Sequence, residues 1–195
     1  MKRLAFLLLL ATLLTPAGNA RADIGRGIDL FERGRYDEAA VELLALAEVG
    51  VPEAQYLLGV MYLNLMVEPP EASAALSMIE AAAQSGHLPA QAELARMYRA
   101  GDGVEQDFTR MMAWYERAAE QGDVGAQLFV ADGYGYGYGV EPDLVEAYKW
   151  YEIAIQYWGS LAVRARDVLA ERMTDEEIAE AVRRTGDWLA SRPRN

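Results

Sequence analysis

Residues 90–122 read AQAELARMYRAGDGVEQDFTRMMAWYERAAEQG, and parts of that phrase return on either side at a fixed step of 36 residues. Ala54-Gln55, Ala90-Gln91 and Ala126-Gln127 keep the step, as do Gly50, Gly86 and Gly122 and the tyrosines Tyr62, Tyr98 and Tyr134. Gly103-Val104 returns as Gly139-Val140, Trp114-Tyr115 as Trp150-Tyr151, and Glu80 as Glu116 and Glu152. No insertion or deletion interrupts the register. A fixed period of roughly 20 to 50 residues marks a solenoid, in which each unit stacks only on its neighbours.

Each unit reads as two helices. From about Leu88 to Arg99, Ala90, Leu94, Ala95 and Tyr98 recur at helical spacing and share a face. Gly101-Asp102-Gly103 ends that helix, because glycine permits the positive φ of a chain reversal. Asp107 caps a second helix through Met111, Trp114, Tyr115 and Ala118-Ala119 to Gln121, which Gly122 closes. The alanines let helix backbones approach, and the aromatic residues fill the wider gaps. One such hairpin cannot bury its own apolar face; the next one does.

Ala-Gln-x-x-Leu-Ala-x-x-Tyr, then Gly-x-Gly-Val, then Ala-Trp-Tyr-x-x-Ala-Ala-x-Gln-Gly, carried at almost every position by 90–122, resembles the Sel-one-like repeat family, a relative of the tetratricopeptide repeat. Gly34-x-Tyr36-Asp37-x-Ala39 is similar to a tetratricopeptide hairpin. Arg166-Asp167, Met173-Thr174 and Ile178 to Ala181 resemble the tail of many secreted bacterial members. The resemblance spans about Asp23 to Trp188. It implies an all-α, right-handed superhelical α-solenoid of stacked helical hairpins. It also implies a non-enzymatic adaptor that holds proteins or peptides together; some bacterial members look like parts of host interaction, envelope assembly or polysaccharide production. The expected organisation is a signal peptide at 1–22, a tetratricopeptide-like capping hairpin at 23–49, repeats at 50–85, 86–121 and 122–157, and capping helices at 158–195. The last of these opens on the capping-box pattern Thr174-x-x-Glu177.

Two repeats depart from the pattern. In the first, Leu65-Met66-Val67-Glu68 replaces the glycine turn and Met78-Ile79 replaces Trp-Tyr. That apolar loop is expected to pack on the N-terminal hairpin or, alternatively, to stand exposed and contact a partner. In the third, glycine and tyrosine alternate from Gly133 to Gly139. Gly137 and Gly139 match the usual turn; Gly133 and Gly135 are extra, each expected to weaken the helix end by about 1 kcal/mol. Tyr134 fits the core, whereas Tyr136 and Tyr138 are expected in solvent as candidate contact residues.

Lys2-Arg3, the apolar run Leu4 to Leu14, helix-ending Pro16 and Gly18, and Ala20-Arg21-Ala22 read as a secretory signal cleaved after Ala22. The run is shorter than the roughly 20 residues of a bilayer span, so no stable membrane insertion is expected after cleavage. The expected location is the bacterial periplasm or the medium. The absence of cysteine leaves the fold to packing alone. The formal charge of −12 becomes −15 when Lys2, Arg3 and Arg21 are removed. Such acidity disfavours nucleic acid and anionic membranes and steers a basic partner.

Little in the chain suggests chemistry. The one histidine, His87, sits in a turn and reads as a surface residue. With no cysteine it makes no zinc set, and no triad, calcium loop or phosphate loop is visible, so no catalytic residue, metal ligand or cofactor is expected. Glu80, Glu116 and Glu152 recur with the period and read as structural. Binding residues are sought where the first helix of each unit varies: Tyr56, Ala92 and Leu128; Leu57, Glu93 and Phe129; Val60, Arg96 and Asp132. Of these, Tyr56, Arg96, Phe129 and Asp132 are the candidates for a groove that takes a protein or peptide. The competing readings are an envelope structural component that self-assembles or associates with the cell wall, and an envelope hydrolase.

Overall fold

The computed structural model describes residues 17–69, 71 and 73–192. Those residues form ten helices and no strand: α1 (Ala17–Glu32), α2 (Tyr36–Glu48), α3 (Pro52–Leu63), α4 (Ala74–Gln84), α5 (Leu88–Ala100), α6 (Phe108–Glu120), α7 (Val124–Tyr136), α8 (Leu144–Trp158), α9 (Ser160–Ala170) and α10 (Asp175–Ala190). Each helix packs on the next from α1 to α9, and α10 folds back onto α8. This is an α-solenoid.

The expected signal segment lies, up to residue 16, outside the described residues. Gly18, expected to end a helix, instead stands in the first turn of α1, and Ala20-Arg21-Ala22 is helical. Alanine and arginine are among the strongest helix formers, and a first-turn glycine gives up little that the helix needs.

The junctions between units repeat in atomic detail. Gly50, Gly86 and Gly122 adopt φ of 85°, 85° and 96°. Their N–H groups donate to the carbonyls of Ala47, Ala83 and Ala119, and the next residues, Val51, His87 and Asp123, donate to Leu46, Ala82 and Ala118. This is the Schellman closure, which satisfies two orphan carbonyls at a helix end. The side-chain amides of Gln55, Gln91 and Gln127 donate to those same carbonyls of Ala47, Ala83 and Ala119 at 3.2, 3.1 and 3.4 Å. Each glutamine thereby ties its helix to the end of the helix before.

Small residues bring the helix pairs together. Ala54, Ala90 and Ala126 are buried, as are Ala82, Ala118 and Ala154. Gly59 takes the place of Ala95 and Ala131, and a Cβ there would stand 2.7 Å from Ile79 Cγ1. Gly133 and Gly135 also prove to be packing residues. Both lie buried inside α7, and a Cβ on Gly133 would meet Met112 Sδ at 2.6 Å. Gly133 makes a close helix contact and both glycines lie within the helix, while a Cβ on Gly135 would meet only ordinary contacts, the nearest Leu169 Cδ1 at 3.6 Å.

The first unit closes its turn without glycine. Met66 N–H reaches the carbonyl of Met61 as Asp102 reaches Met97 and Tyr138 reaches Gly133. Leu65 stands where Gly101 and Gly137 stand, and adopts φ of 53° beside their 74° and 78°. A leucine in this region is strained by its Cβ. Leu65 is 78% exposed, while Met66 and Val67 pack against the core cluster that the N-terminal hairpin shares with the first unit. The last helix is held by the Thr174–Glu177 capping box and by Trp188, whose ring meets Trp150 edge-on at 5.7 Å and whose Nε1 donates to Glu120.

Leu65→Gly removes the strain and no buried contact. Partly offset by the greater freedom of glycine in the unfolded chain, it is expected to raise unfolding stability by about 0.5–1 kcal/mol in urea denaturation.

Candidate functional site

One face of α3, α5 and α7 carries residues that vary from unit to unit. Two shallow depressions adjoin there and share Arg99 and Phe129. The first, about 400 Å³, is lined by Tyr56 from α3, Ala92, Glu93, Arg96 and Arg99 from α5, Tyr115 from α6, and Asp123 and Phe129 from the α7 unit. The second, about 270 Å³ and largely apolar, lies among Arg99, Phe108, Met111, Phe129, Asp132 and Tyr138. Gly139 shapes its rim: a Cβ there would lie 2.0 Å from the Phe108 carbonyl oxygen. Only glycine lets the turn that carries Tyr138 come this close to the start of α6.

Phe129 is the shared wall. It is 37% exposed, its ring stacks on Tyr115 at 4.7 Å and 10°, and the Arg99 guanidinium lies 4.8 Å from its centroid. Arg96 is held in two hydrogen bonds by Glu93, at 3.1 and 2.5 Å. Asp132 accepts a 2.5 Å hydrogen bond from the Tyr151 hydroxyl. Burial, and then the carboxylate of Asp132, push that phenol well above its ordinary range. Burial likewise raises the phenols of Tyr56 and Tyr115.

The expected contact residues are thus partly brought together. Tyr56, Arg96 and Phe129 share the first depression; Phe129, Asp132 and Tyr138 share the second. Tyr136 lines neither, although it is 60% exposed and its ring sits 5.8 Å from that of Tyr138. Of the varying positions, Leu57, Leu128 and also Tyr56 pack on the core. Arg99, Phe108 and Tyr115 are lining residues beyond those read from the sequence. Arg99 carried a signal, since Leu63 and Gly135 stand at the equivalent positions. Tyr115 hid its role by recurring as Tyr151.

Other titratable groups serve the fold. His87 is not a surface residue: its side chain is 12% exposed, its Nδ1 accepts the Ala90 N–H as the cap of α5, and its Nε2 lies 2.7 Å from Glu53. Asp123 makes the matching cap of α7 through Ala126 N–H. The recurring glutamates accept from tyrosines one helix on, Tyr98 to Glu80 at 3.4 Å and Tyr134 to Glu116 at 2.6 Å. Glu152, where no tyrosine follows, pairs with Arg166 at 2.6 Å. A polar hollow of about 430 Å³ around Glu80, Tyr98, Asp107 and Arg110 is spanned by the Tyr98–Glu80 bond and by the one that Arg110 Nη1 donates to the Tyr98 hydroxyl at 3.2 Å. Among the described residues, no three His, Asp or Glu side chains converge to hold a metal, and no helix is long and apolar enough to cross a membrane.

The Sel1 repeat matches this sequence three times, at residues 52–87, 88–123 and 124–156, together more than half of the chain. Among solved structures, a protective antigen present in uropathogenic Escherichia coli strains and displaying an SLR (Sel1-like repeat) fold is similar with a TM-score of 0.71. It is 28% identical over 89% of this chain, and this chain spans 38% of it. A Sel1 repeat protein from Oxalobacter formigenes is similar with a TM-score of 0.59 and 36% identity, over 65% of this chain and 96% of its own. No curated protein matches the sequence.

Proposed function

The chain belongs to the Sel1 repeat family, whose repeats generally mediate protein–protein interaction, and from that premise we propose that it is a non-enzymatic scaffold of the bacterial periplasm or envelope that binds a protein or peptide in the groove across α3, α5 and α7. The observation that carries the reading is the gathering of Tyr56, Arg96 and Phe129, from three successive units, on one lining. Rigid aromatic rings beside arginine are the residue types that dominate binding energy at interfaces. An extended segment spanning several units gains from each. The signal-like start of the sequence supports export, with residues 23–195 as the working unit and its two ends as caps. The formal charge of −15 that remains without Lys2, Arg3 and Arg21 supports long-range steering of a basic protein and not of nucleic acid.

Affinity capture from envelope extract, with the wild-type chain beside Phe129→Ala, tests the groove. A specific protein held by the first and lost by the second is expected; an identical set held by both contradicts the site.

A second reading, self-assembly, is favoured by one feature. Leu161 and Val168, seven apart on α9, and Val182 and Leu189, seven apart on α10, remain exposed at the C-terminal end. Open apolar faces at a solenoid end invite stacking. On this reading light scattering gives a mass that rises with concentration, and Val168→Glu abolishes the rise; a constant monomer mass removes it.

A further inference from the structure

The acids of the groove are all engaged. Glu93 holds Arg96, Asp123 caps α7, and Asp132 takes the Tyr151 hydroxyl. Arg99 differs: among the described residues no carboxylate oxygen lies within 4.0 Å of its guanidinium, which rests instead over Phe129. A cation held against a ring is partly ordered before any partner arrives, and its donors remain available. Beside it lies the apolar depression walled by Phe108, Met111, Phe129 and Tyr138, with Phe108 46% and Tyr138 56% exposed. The lining continues past Arg99 in both directions, from Tyr56 on α3 to Tyr138 beyond α7.

We propose that the groove seats an internal, extended segment of a protein partner in which an aspartate or glutamate lies beside a large apolar residue. The carboxylate pairs with Arg99, and the apolar side chain enters the depression of Phe108, Met111, Phe129 and Tyr138. This rests on the binding role given to the groove above and adds the chemistry of what it reads. Charge complementarity selects the carboxylate: among the described residues, Arg99 is the groove cation that no protein carboxylate neutralises. Its place between the two depressions selects an internal segment, since the bound chain continues to either side. Steering and recognition separate here. The acidic exterior favours a partner basic overall, while the groove reads one local acidic residue.

Selection of random peptides on the intact chain tests this, with the peptides displayed either within a loop of a carrier protein or at its free C-terminus. The loop arm is expected to enrich an acidic residue next to Leu, Ile, Met or Phe. Binding of an enriched peptide is expected to weaken about tenfold or more when its acid becomes the amide, and equally in Arg99→Gln, with the amide peptide no weaker on Arg99→Gln than on wild type. Thermal melts by circular dichroism confirm that Arg99→Gln, at an exposed site, remains folded. Enriched loop peptides without an acidic residue, or unaffected by Arg99→Gln, overturn the carboxylate assignment and leave the groove's binding role standing. Enrichment confined to the C-terminal arm overturns the internal segment. Failure of both arms to enrich any peptide sensitive to Phe129→Ala overturns the binding role itself.

Discussion

The structure turns on a carbonyl oxygen. At Ala47, Ala83 and Ala119 one oxygen accepts two bonds, from the N–H of the following glycine and from the amide of a glutamine eight residues on. The first bond ends a helix; the second fixes where the next helix sits against it. Gln91 and Gln127 are buried, so their amide groups would be costly without such partners. The bond therefore works as a register pin: a slip of the helix would strand the glutamine's amide donor. The alanines at 54, 90 and 126 stand next to these glutamines and allow the approach that the bond needs.

Everything that varies is then free to vary. With register set by Gln, Gly and Ala, the outward positions of α3, α5 and α7 are freer to vary, although Tyr56 also packs against the core. They collect Tyr56, Arg96, Arg99 and Phe129 on one lining. The irregular residues are sited by the same logic. Gly133 replaces Met97 at its equivalent position because Met112 fills that space from α6. Leu65 accepts a glycine's backbone because the turn it belongs to is dictated by the repeat.

The fold was legible because its signals are periodic. The turn glycines, the Asp107 cap and the Thr174 capping box act within a few residues of themselves, and each is visible as a local pattern. What escaped is what depends on distant partners. A glycine in a helix looks like a breaker unless the methionine that needs its space is known, as with Gly133 and Met112. His87 reads as exposed until Glu53, 34 residues away, is brought to its Nε2. Asp132 reads as a free acid until Tyr151 from the next helix claims it. Variation between units pointed to α3, α5 and α7, whose Tyr56, Arg96 and Phe129 line one depression. It did not reveal that Phe108, at the start of α6, and Tyr138, in the turn after α7, close one depression.

The register pin is most directly tested at Ser85. Gln121 Nε2 donates to the Gln91 side-chain oxygen at 2.7 Å, while Oε1 of Gln55 and of Gln127 has no partner among the described residues. The residue equivalent to Gln121 is Ser85 for Gln55, and its side chain is too short to bring an amide there. Chemical denaturation of Ser85→Gln, alone and in a Gln55→Leu background, measures the coupling. The predicted result is a gain of about 1 kcal/mol that disappears in the Gln55→Leu background, where the amide acceptor is gone. No gain, or the same gain in both backgrounds, would contradict the orientation of the Gln55 amide, Nε2 on the Ala47 carbonyl and Oε1 turned outward, that the register pin requires.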